Sequence, residues 1–211
     1  MREPFEIEKY SHLFIDFDGV IKNSVDIKGQ AFKELFREFG QDVMQKVYQH
    51  HMNNGGVSRY DKIPIYLDYA NIPITSESVD KFQEKFSKIV FQQIIDSDWI
   101  PGAEMFIKEN YYNQKFILIS ATPQIEMEQI LKALNIFNCF DKVYGSPNQK
   151  DEVIKLFKYN NKLSEKDILV IGDTTTDLSA ALSNSLDFLL IDFNGSFEYD
   201  DIISKNNFFK L

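Results

Sequence analysis

Two aspartates stand around a single phenylalanine where an apolar run near the start of the chain ends. In the segment HLFIDFDGVIKNS, residues 12–24, Asp16 and Asp18 flank Phe17, and Gly19 follows at once. One carboxylate of such a pair can act as a nucleophile while the other transfers protons. An Asp-rich turn after a strand is the competing interpretation of this segment taken alone.

Other polar side chains follow later apolar runs. The run KFILIS ends in Ser120, with Thr122 two residues further on, and the run DILVIGD ends in Asp173, with Asp177 closing the TTTD segment behind it. Lys150 lies between the runs FDKVYG and DILVIGD. In open α/β sheets the ligand crevice lies at the carboxyl ends of the strands, so we expect these side chains at one edge of a sheet.

A cluster of carboxylates at one edge requires a counter-charge. Asp16, Asp18, Asp173 and Asp177 would repel one another and raise their own pKa values unless a cation lay among them. Mg2+ is a hard cation that takes one or two carboxylates and completes its octahedron with water and substrate phosphate. We therefore predict a Mg2+ site with Asp16, Asp173 and Asp18 as ligands, the last through its backbone carbonyl.

A hydroxyl and an ammonium group opposite the metal would complete a site for a transferring phosphoryl group. Ser120 and Lys150 are the candidates, because such groups stabilise the charge on phosphoryl oxygens. Thr122 offers an alternative hydroxyl, although Ser120 directly ends the apolar run. Lys142 and Lys155 are alternatives to Lys150, whose expected place in a loop just before a helix favours it. The constellation predicts phosphoryl transfer.

The elements that position these residues can be predicted from hydrophobic periodicity. Five short apolar runs are typical of buried strands: LFIDF, KFILIS, FDKVYG, DILVIGD and DFLLID. From about residue 100 onwards they alternate with the helical patterns PGAEMFIKENYY, TPQIEMEQILKAL and KDEVIKLFKY. Such alternation predicts a Rossmann-like α/β core, with a mainly parallel sheet and helices on both faces.

The interval between the first two strands is too long for a simple crossover. It contains helical patterns such as DIKGQAFKELFREFG, with Gly40 as its expected stop, and ESVDKFQEKFSKIVFQQII, but no convincing strand. We predict an inserted all-helical cap at residues 26–96 and a core made of residues 1–25 and 97–211. The segments IKNSVD and IDSDWIPG, which break the helical pattern, are the expected hinges.

Composition excludes several classes of function. Lys and Arg number 23 against 32 Asp and Glu, and a formal charge of −9 has the wrong sign for binding nucleic acid. There is no apolar run of about 18 residues to span a membrane, and the charged start MREPFEIEKYS is unlike a signal peptide, so a cytoplasmic location is expected. The single cysteine, Cys139, lies among apolar residues and indicates packing.

Four segments in order resemble the motifs of the haloacid dehalogenase superfamily. They are FIDFDGVIKNS, ILISATP, GSPNQKDEVIK and VIGDTTTDLSAA, and their spacing matches the branch with a helical, C1-type cap between the first two motifs. NGGVSRYDK and WIPGAEMFI further resemble the cap segment, and the return from cap to core, of phosphoglycolate phosphatase and β-phosphoglucomutase relatives. The resemblance covers the whole chain.

This resemblance implies a role for each matched residue. Asp16 would be the nucleophile that forms an aspartyl-phosphate. Asp18 would protonate the leaving oxygen and then deprotonate the attacking water. Ser120 and Lys150 would bind the phosphoryl oxygens, and Asp173 would bind Mg2+.

Asp177 has two compatible interpretations. The resemblance implies that it orients Lys150 or a metal-bound water. From its position alone it could also be the N-cap of the helix that LSAALS begins.

Further residues are predicted to contact substrate. They are Gly19, Lys28, Arg59, Ala121 and Thr122. Arg59, in the cap segment GGVSRYDK, could instead pair with Asp61 on a solvated surface. The adjacent His50 and His51 lack the spacing of a paired metal site and are interpreted as ordinary helix residues. The C-terminal segment NFFKL is expected to be an edge or docking element.

The resemblance favours a phosphatase for a small phosphorylated metabolite, such as a sugar phosphate or phosphoglycolate, acting as a monomer or homodimer. Having Asp18 argues against the dehalogenases, which lack that second aspartate. A mutase of the β-phosphoglucomutase type is the alternative, but Gly172 stands where the mutase has a Glu, and Lys28 stands near its cap-hinge His. A non-catalytic binding protein on the same scaffold would have no reason to keep Asp16, Asp18, Lys150 and Asp173 together.

Overall fold

The computed structural model describes residues 6–192, and the NFFKL segment lies outside them. A five-stranded parallel sheet forms the centre of the fold, with the strand order β3-β2-β1-β4-β5. The strands are β1 (His12–Ile15), β2 (Lys115–Pro123), β3 (Lys142–Ser146), β4 (Ile168–Gly172) and β5 (Asp187–Leu190). All five predicted strands are therefore present, and the chain crosses from one side of β1 to the other between β3 and β4.

Apolar side chains on both faces of the sheet explain why the strands are nearly continuous hydrophobic runs. Leu13 and Ile15 of β1 belong to one buried cluster, and Phe14 between them belongs to a second cluster on the opposite face. The core helices that cover the sheet are α5 (Ala103–Asn110), α6 (Gln124–Ala133), α7 (Lys150–Asn161) and α8 (Thr175–Ser183). Residues of α5 and α6 join the first cluster and residues of α7 and α8 the second, which confirms helices on both faces.

Four helices form the insertion between β1 and α5. They are α1 (Val25–Leu35), α2 (Gln41–Asn53), α3 (Arg59–Tyr69) and α4 (Ser76–Asp96). Aromatic rings hold this all-helical cap together: the rings of Phe32 and Phe86 stack with centroids 3.9 Å apart, and those of Phe36 and Phe82 lie 5.0 Å apart. The predicted stop at Gly40 is too late for α1, which ends at Leu35 and is followed by a short 3-10 turn.

The two linkers between core and cap are hydrogen-bonded to each other. The Asn23 amide donates to the Asp98 carbonyl at 2.9 Å, and the Ile100 amide donates to the Ile21 carbonyl at 3.0 Å. Lys22, on the first linker, places its ammonium over the Trp99 ring, 4.6 Å from the centroid. The same ammonium donates to carbonyls at the end of α4, where a cation is favoured. These contacts fix where the cap leaves and rejoins the core.

Cys139 is buried in the apolar cluster under α6, in agreement with the packing interpretation. Within residues 6–192, no helix combines the length and the apolar character that crossing a bilayer requires.

Candidate active site

Three carboxylates meet at the carboxyl edge of the sheet, and we call them the acidic edge. Asp16 follows β1 and Asp173 follows β4, and these strands are paired with Ile15 opposite Ile171, so both aspartates lie at the same end of the strand pair. The Asp16 amide donates to the Ile171 carbonyl at 3.0 Å, which extends the ladder by one residue. Asp16, Asp173 and Asp177 each place a carboxylate oxygen within 4.8 Å of the others. The edge lies at the switch point of the strand order, where α/β sheets bind ligands.

Lys150 reaches the acidic edge from the start of α7. It is the first residue of that helix, whereas the sequence predicted a loop just before it. Its ammonium lies 2.9 Å from an Asp16 oxygen and 2.6 Å from an Asp177 oxygen. Burial would lower the pKa of Lys150, but the two carboxylates outweigh burial and raise it. The alternatives Lys142 and Lys155 are exposed.

The carboxylates of the acidic edge carry more negative charge than the Lys150 ammonium neutralises. Burial, together with the neighbouring carboxylates, raises the pKa values of Asp16 and Asp173 despite the presence of Lys150. One oxygen of each, Oδ1, is buried and has no hydrogen-bond partner in the part of the chain that the structure describes. Such orphaned oxygens cost free energy unless a ligand satisfies them. Two free carboxylate oxygens at this spacing are the donor set that a hard divalent cation requires.

Asp177 is already engaged and is a poorer ligand than its distance suggests. One of its oxygens accepts from Lys150, and the other accepts from the Thr174 amide at 3.2 Å and the Thr174 hydroxyl at 2.5 Å. The residue is thus the third position of a capping box at the start of α8, where Thr174 rather than Asp177 is the N-cap. Gly172 makes room for it, since a Cβ there would lie 2.2 Å from the Asp177 Cβ.

The Asp18 carboxylate points away from the acidic edge toward the cap. It accepts from the Ser24 hydroxyl at 2.6 Å, forms an ion pair with Lys28, and lies 3.5 Å from the Thr122 hydroxyl. Burial would raise the pKa of Asp18, but Lys28 and Ser24 outweigh it and hold the pKa below its usual value. The Asp18 carboxylate is thus engaged by cap and linker residues, and its backbone carbonyl stays a predicted metal ligand.

The two candidate hydroxyls have different surroundings. The Thr122 hydroxyl accepts from the Lys28 ammonium at 2.8 Å and faces Asp18. Ser120 is buried, and its oxygen accepts from the Thr122 amide at 3.1 Å, which leaves its proton free to be donated. Ser120, Ala121 and Lys150 line the same open cleft beside the acidic edge.

Gly19 allows the backbone to approach the acidic edge. Its φ is +74°, a left-handed conformation that favours glycine. A Cβ at this position would lie 2.0 Å from an Asp173 oxygen, which is far inside van der Waals contact. The glycine predicted to touch substrate thus sits directly against the carboxylate predicted to hold the metal.

The cap is closed over the site. The Ser58 hydroxyl of the cap lies 2.5 Å from the Ser146 hydroxyl of the core. Gly56 fits so closely that a Cβ there would lie 1.8 Å from the Thr176 hydroxyl oxygen. Between cap and core lies a cavity of about 20 Å³. It is lined by Asp16, Asp18, Val25, Lys28, His51, Gly55, Gly56, Ala121, Asp173 and Thr174.

Arg59 does not join the other predicted site residues, so its assignment to substrate is corrected. Its guanidinium forms a buried two-pronged ion pair with Glu126 of α6, and it also donates to the Ser87 hydroxyl at 2.6 Å. The face of the guanidinium lies over the Phe86 ring, 4.6 Å from the centroid. Pairing with Asp61, the other alternative, is not formed either. Arg59 joins the cap to the core because its guanidinium binds Glu126 of the core helix α6 and Ser87 of the cap helix α4.

Two cap residues at the site were missed by sequence reasoning, and we call them the basic pair: His51 of α2 and Lys62 of α3. His51 lines the closed cavity, whereas His50 faces the Tyr66 hydroxyl at 3.2 Å and is an ordinary helix residue as predicted. The spacing of Val47 and His51 contained a weak signal, since both are buried and residues four apart share one helix face. No comparable signal marked Lys62.

Comparisons with known proteins agree with this geometry. The model of the haloacid dehalogenase-like hydrolase family matches residues 13–191. No curated protein matches the sequence. Among solved structures, a β-phosphoglucomutase from Clostridium difficile has a TM-score of 0.67 at 20% identity, over 85% of this chain and 83% of that one. A predicted phosphoglycolate phosphatase from Haemophilus somnus has a TM-score of 0.66 at 15% identity, over 87% and 85%.

Proposed function

The chain belongs to the haloacid dehalogenase-like hydrolases, and on that basis we propose that it is a Mg2+-dependent phosphatase of small phosphorylated metabolites. One observation carries the proposal. Asp16 has one oxygen 2.9 Å from the Lys150 ammonium and its other oxygen buried without a partner, next to the equally unpartnered oxygen of Asp173. A nucleophilic carboxylate, a fixed cation and free metal-ligand oxygens at a single point are what phosphoryl transfer through an aspartyl-phosphate requires.

The residues divide the reaction between them. Asp16 attacks phosphorus, the bond to the leaving oxygen breaks, and Asp18 delivers a proton to that oxygen. Asp18 then takes a proton from water, which attacks phosphorus and releases phosphate from Asp16. Ser120 and Lys150 hold the phosphoryl oxygens throughout. Mg2+, held by Asp16, Asp173 and the Asp18 carbonyl, would neutralise the charge that builds up on those oxygens.

Lys28 sets the protonation state of Asp18 in this scheme. Its ion pair keeps Asp18 ionised, which is the form needed to activate water in the second step. The first step needs a proton on Asp18, so Lys28 has to turn away from Asp18 when substrate binds. The ester or its leaving group can supply the new partner, because Lys28 lies on the cap side of the cavity.

Movement of the cap is part of the proposal. The cavity that Asp16 and Asp18 line is about 20 Å³ and accommodates about one water molecule, so a phosphoester that enters through the open cleft at Lys150 reaches both aspartates only when the cap swings away from the core. Closure then excludes bulk water from the acyl-like aspartyl-phosphate and brings cap side chains against the leaving group. We propose residues 26–96 as this moving unit. A cap of this kind favours small substrates over phosphoproteins.

A phosphosugar mutase is the competing assignment for the same catalytic residues. It is weakened by Gly172, because the Asp177 side chain occupies the space that a side chain at position 172 would need. The β-phosphoglucomutase neighbour shares the fold, and at 20% identity that likeness concerns the fold only.

The test is phosphate release from a panel of sugar phosphates and phosphorylated hydroxy acids, with Mg2+ or with EDTA. Metal-dependent release by the parent protein that disappears in Asp16→Asn supports the proposal. Isomerisation of a sugar phosphate in the presence of a bisphosphate primer, without net release, would replace it by the mutase. No reaction in either assay would overturn both.

A further inference from the structure

The basic pair lies on the cap side of the closed cavity, opposite the acidic edge, with His51 on the cavity wall and Lys62 behind it. His51 and Lys62 are almost wholly buried, with 3% and 1% of their surfaces exposed. The His51 Nδ1 and the Lys62 ammonium lie 3.2 Å apart. Burying two basic groups in contact is unfavourable unless an acceptor compensates them.

The orientation of the pair leaves one donor unused. A Lys ammonium can only donate, so the His51 Nδ1 accepts from Lys62 and the ring proton lies on Nε2. His51 Nε2 is buried, and within residues 6–192 it has no hydrogen-bond partner. Burial and the charges of Lys62 and Lys28 lower the pKa of His51 to about 3, against smaller opposing effects of Asp18 and the Val25 carbonyl, so the ring is neutral at physiological pH. His51 thus lines the cavity and carries a ring N–H for which the described residues offer no acceptor with hydrogen-bond geometry.

Lys62 also lacks a counter-charge. Among residues 6–192, no carboxylate lies within 4 Å of its ammonium. Burial is the main cause that lowers the pKa of Lys62 to about 7; Lys28 adds to it, and Asp18 and Asp61 offset it only in part. Lys62 stands behind His51 rather than on the cavity wall, so it acts through the imidazole.

The position of the pair identifies which end of a substrate it would meet. Lys150 and Ser120 mark the phosphoryl end, in the cleft beside Asp16. Asp18 marks the leaving oxygen, and His51 and Lys28 line the cavity on that side. An N–H donor backed by an ammonium group therefore faces the part of the ester that leaves.

We propose that the basic pair is an anion subsite for the leaving group, in which His51 Nε2–H donates to a carboxylate and Lys62 positions and polarises the imidazole. The preferred substrates are then phosphate esters of small hydroxy acids rather than neutral sugar phosphates. This inference rests on the proposed phosphatase function, because that function defines which end of the ester lies at Asp18.

Binding of two matched phosphonates to the Mg2+-loaded protein tests the subsite without turnover. 3-Phosphonopropionate carries a carboxylate where propylphosphonate carries a methyl group, and both resist hydrolysis. We expect calorimetry to show tighter binding of 3-phosphonopropionate by about tenfold or more, the range of one charge-assisted hydrogen bond. Equal affinities in the parent protein overturn the subsite alone, whereas failure of both phosphonates to bind overturns the proposed phosphatase function as well.

Substitutions at His51 and His50 test which residue causes the preference for 3-phosphonopropionate. His51→Phe keeps an aromatic ring against Phe32 but removes the hydrogen-bond donor. We expect the affinity for 3-phosphonopropionate to fall by about tenfold and the affinity for propylphosphonate to stay unchanged. His50→Phe, on the same helix, is the matched control and should keep the parent preference. Equal weakening of both ligands by His51→Phe would contradict the proposal. His51→Gln supplies a second variant if the Phe substitution unfolds the cap.

Lys62 is a positioning residue, so its test needs a readout that packing alone would not change. In the parent, the ratio of the two affinities should fall between pH 6 and pH 9, as Lys62 loses its proton. The ratio cancels titration of the phosphonate itself. Lys62→Met should make the ratio small and independent of pH, and a parent ratio that does not change with pH contradicts the role. The titratable and charged groups around Lys62 are Lys28, Asp18, Asp61, His50 and His51.

Discussion

The acidic edge and the basic pair face each other across one cavity, yet they are built in different ways. Two residues of the acidic edge, Asp16 and Asp173, directly follow the paired parallel strands β1 and β4, so the strand pairing brings them to one end of the sheet. The basic pair comes from the inner faces of α2 and α3, and only the packing of these two helices brings His51 to Lys62. The acidic edge can therefore be predicted from the sequence, whereas the basic pair can be found only in the three-dimensional structure of the cap.

The charges of the two regions also differ. This difference indicates which end of the substrate each region would bind. The acidic edge has more carboxylates than Lys150 can neutralise, which suits a metal ion and a phosphoryl group together. Among the described residues, Lys62 forms no ion pair and His51 Nε2 has no acceptor, which suits an anionic far end of the ester. In the proposed function, core residues carry out the chemistry and cap residues select the substrate. Each prediction below breaks or sharpens this division.

The largest effect is expected where the chemistry is concentrated. Asp16→Asn removes the nucleophile, and we expect phosphate release to fall at least about a thousandfold with Mg2+ present. The matched control is Asp42→Asn, an exposed aspartate of α2, which should leave the rate unchanged. Circular dichroism verifies the fold of both variants. A rate for Asp16→Asn within tenfold of the parent would remove Asp16 from its assigned role.

The next largest effect concerns the buried ion pair between Arg59 of the cap and Glu126 of the core. Arg59→Met leaves the Glu126 carboxylate buried and unpaired, and we expect a loss of about 3–5 kcal/mol in the free energy of unfolding. Arg37→Met breaks the exposed pair with Glu34 and should cost less than about 1 kcal/mol. Urea denaturation followed by Trp99 fluorescence measures both. Similar small losses would mean that the Arg59 pair does not hold the cap to the core.

A smaller effect sharpens the close approach of backbone to the acidic edge. Gly19→Ala places a methyl group against Asp173, and we expect Mg2+ affinity measured through activity to fall about tenfold to a hundredfold. Gly40 also has a positive φ, at +93°, but among the described residues no atom lies within 4 Å of the methyl group that Gly40→Ala would add. This variant should lose about 1–3 kcal/mol of stability from backbone strain and keep its Mg2+ affinity. Equal changes in Mg2+ affinity would show that strain, not the clash, is responsible.

Much of the core could be predicted because its signals are local. The five apolar runs are the five strands, and the polar residues after them lie at one edge, since parallel strands end on the same side. Lys150 could be preferred over Lys142 and Lys155 from its place next to a helix start. The error at Gly40 is also local: α1 tightens into a 3-10 turn one helical turn earlier than the apolar spacing indicated.

The cap could be predicted to be helical, but the sequence did not show which of its side chains face the core. Arg59 was assigned to substrate because the partner that actually binds it, Glu126, lies 67 residues away on a core helix. His50 and His51 are identical in type and adjacent, and the rotation of α2 against α3 decides which one faces the cavity. Helical periodicity fixes that rotation only loosely when a face has few buried residues.

The last prediction compares the effect of Lys62 on the stability of the free protein with its effect on ligand binding. Lys62→Met removes a buried charge without a counter-ion, so we expect it to stabilise the free protein by about 1 kcal/mol at pH 6, less than the full desolvation penalty because His51 Nδ1 loses its donor. Thermal unfolding measures the change, and Lys81→Met, at an exposed position on α4, should have no effect. The gain in stability should accompany the loss of carboxylate preference.

The pH dependence of that gain follows from linkage. The pKa of Lys62 is about 7 in the folded protein and 10.5 when exposed, so the unfolded chain binds more protons between these values. The parent therefore gains stability as pH rises from 7, and the penalty of Lys62 is fully present only below that pH. Lys62→Met should stabilise more at pH 6 than at pH 9. A difference independent of pH, or a destabilised variant, would mean that Lys62 is not an uncompensated buried cation, and the case for a vacant anion subsite would lose its energetic basis.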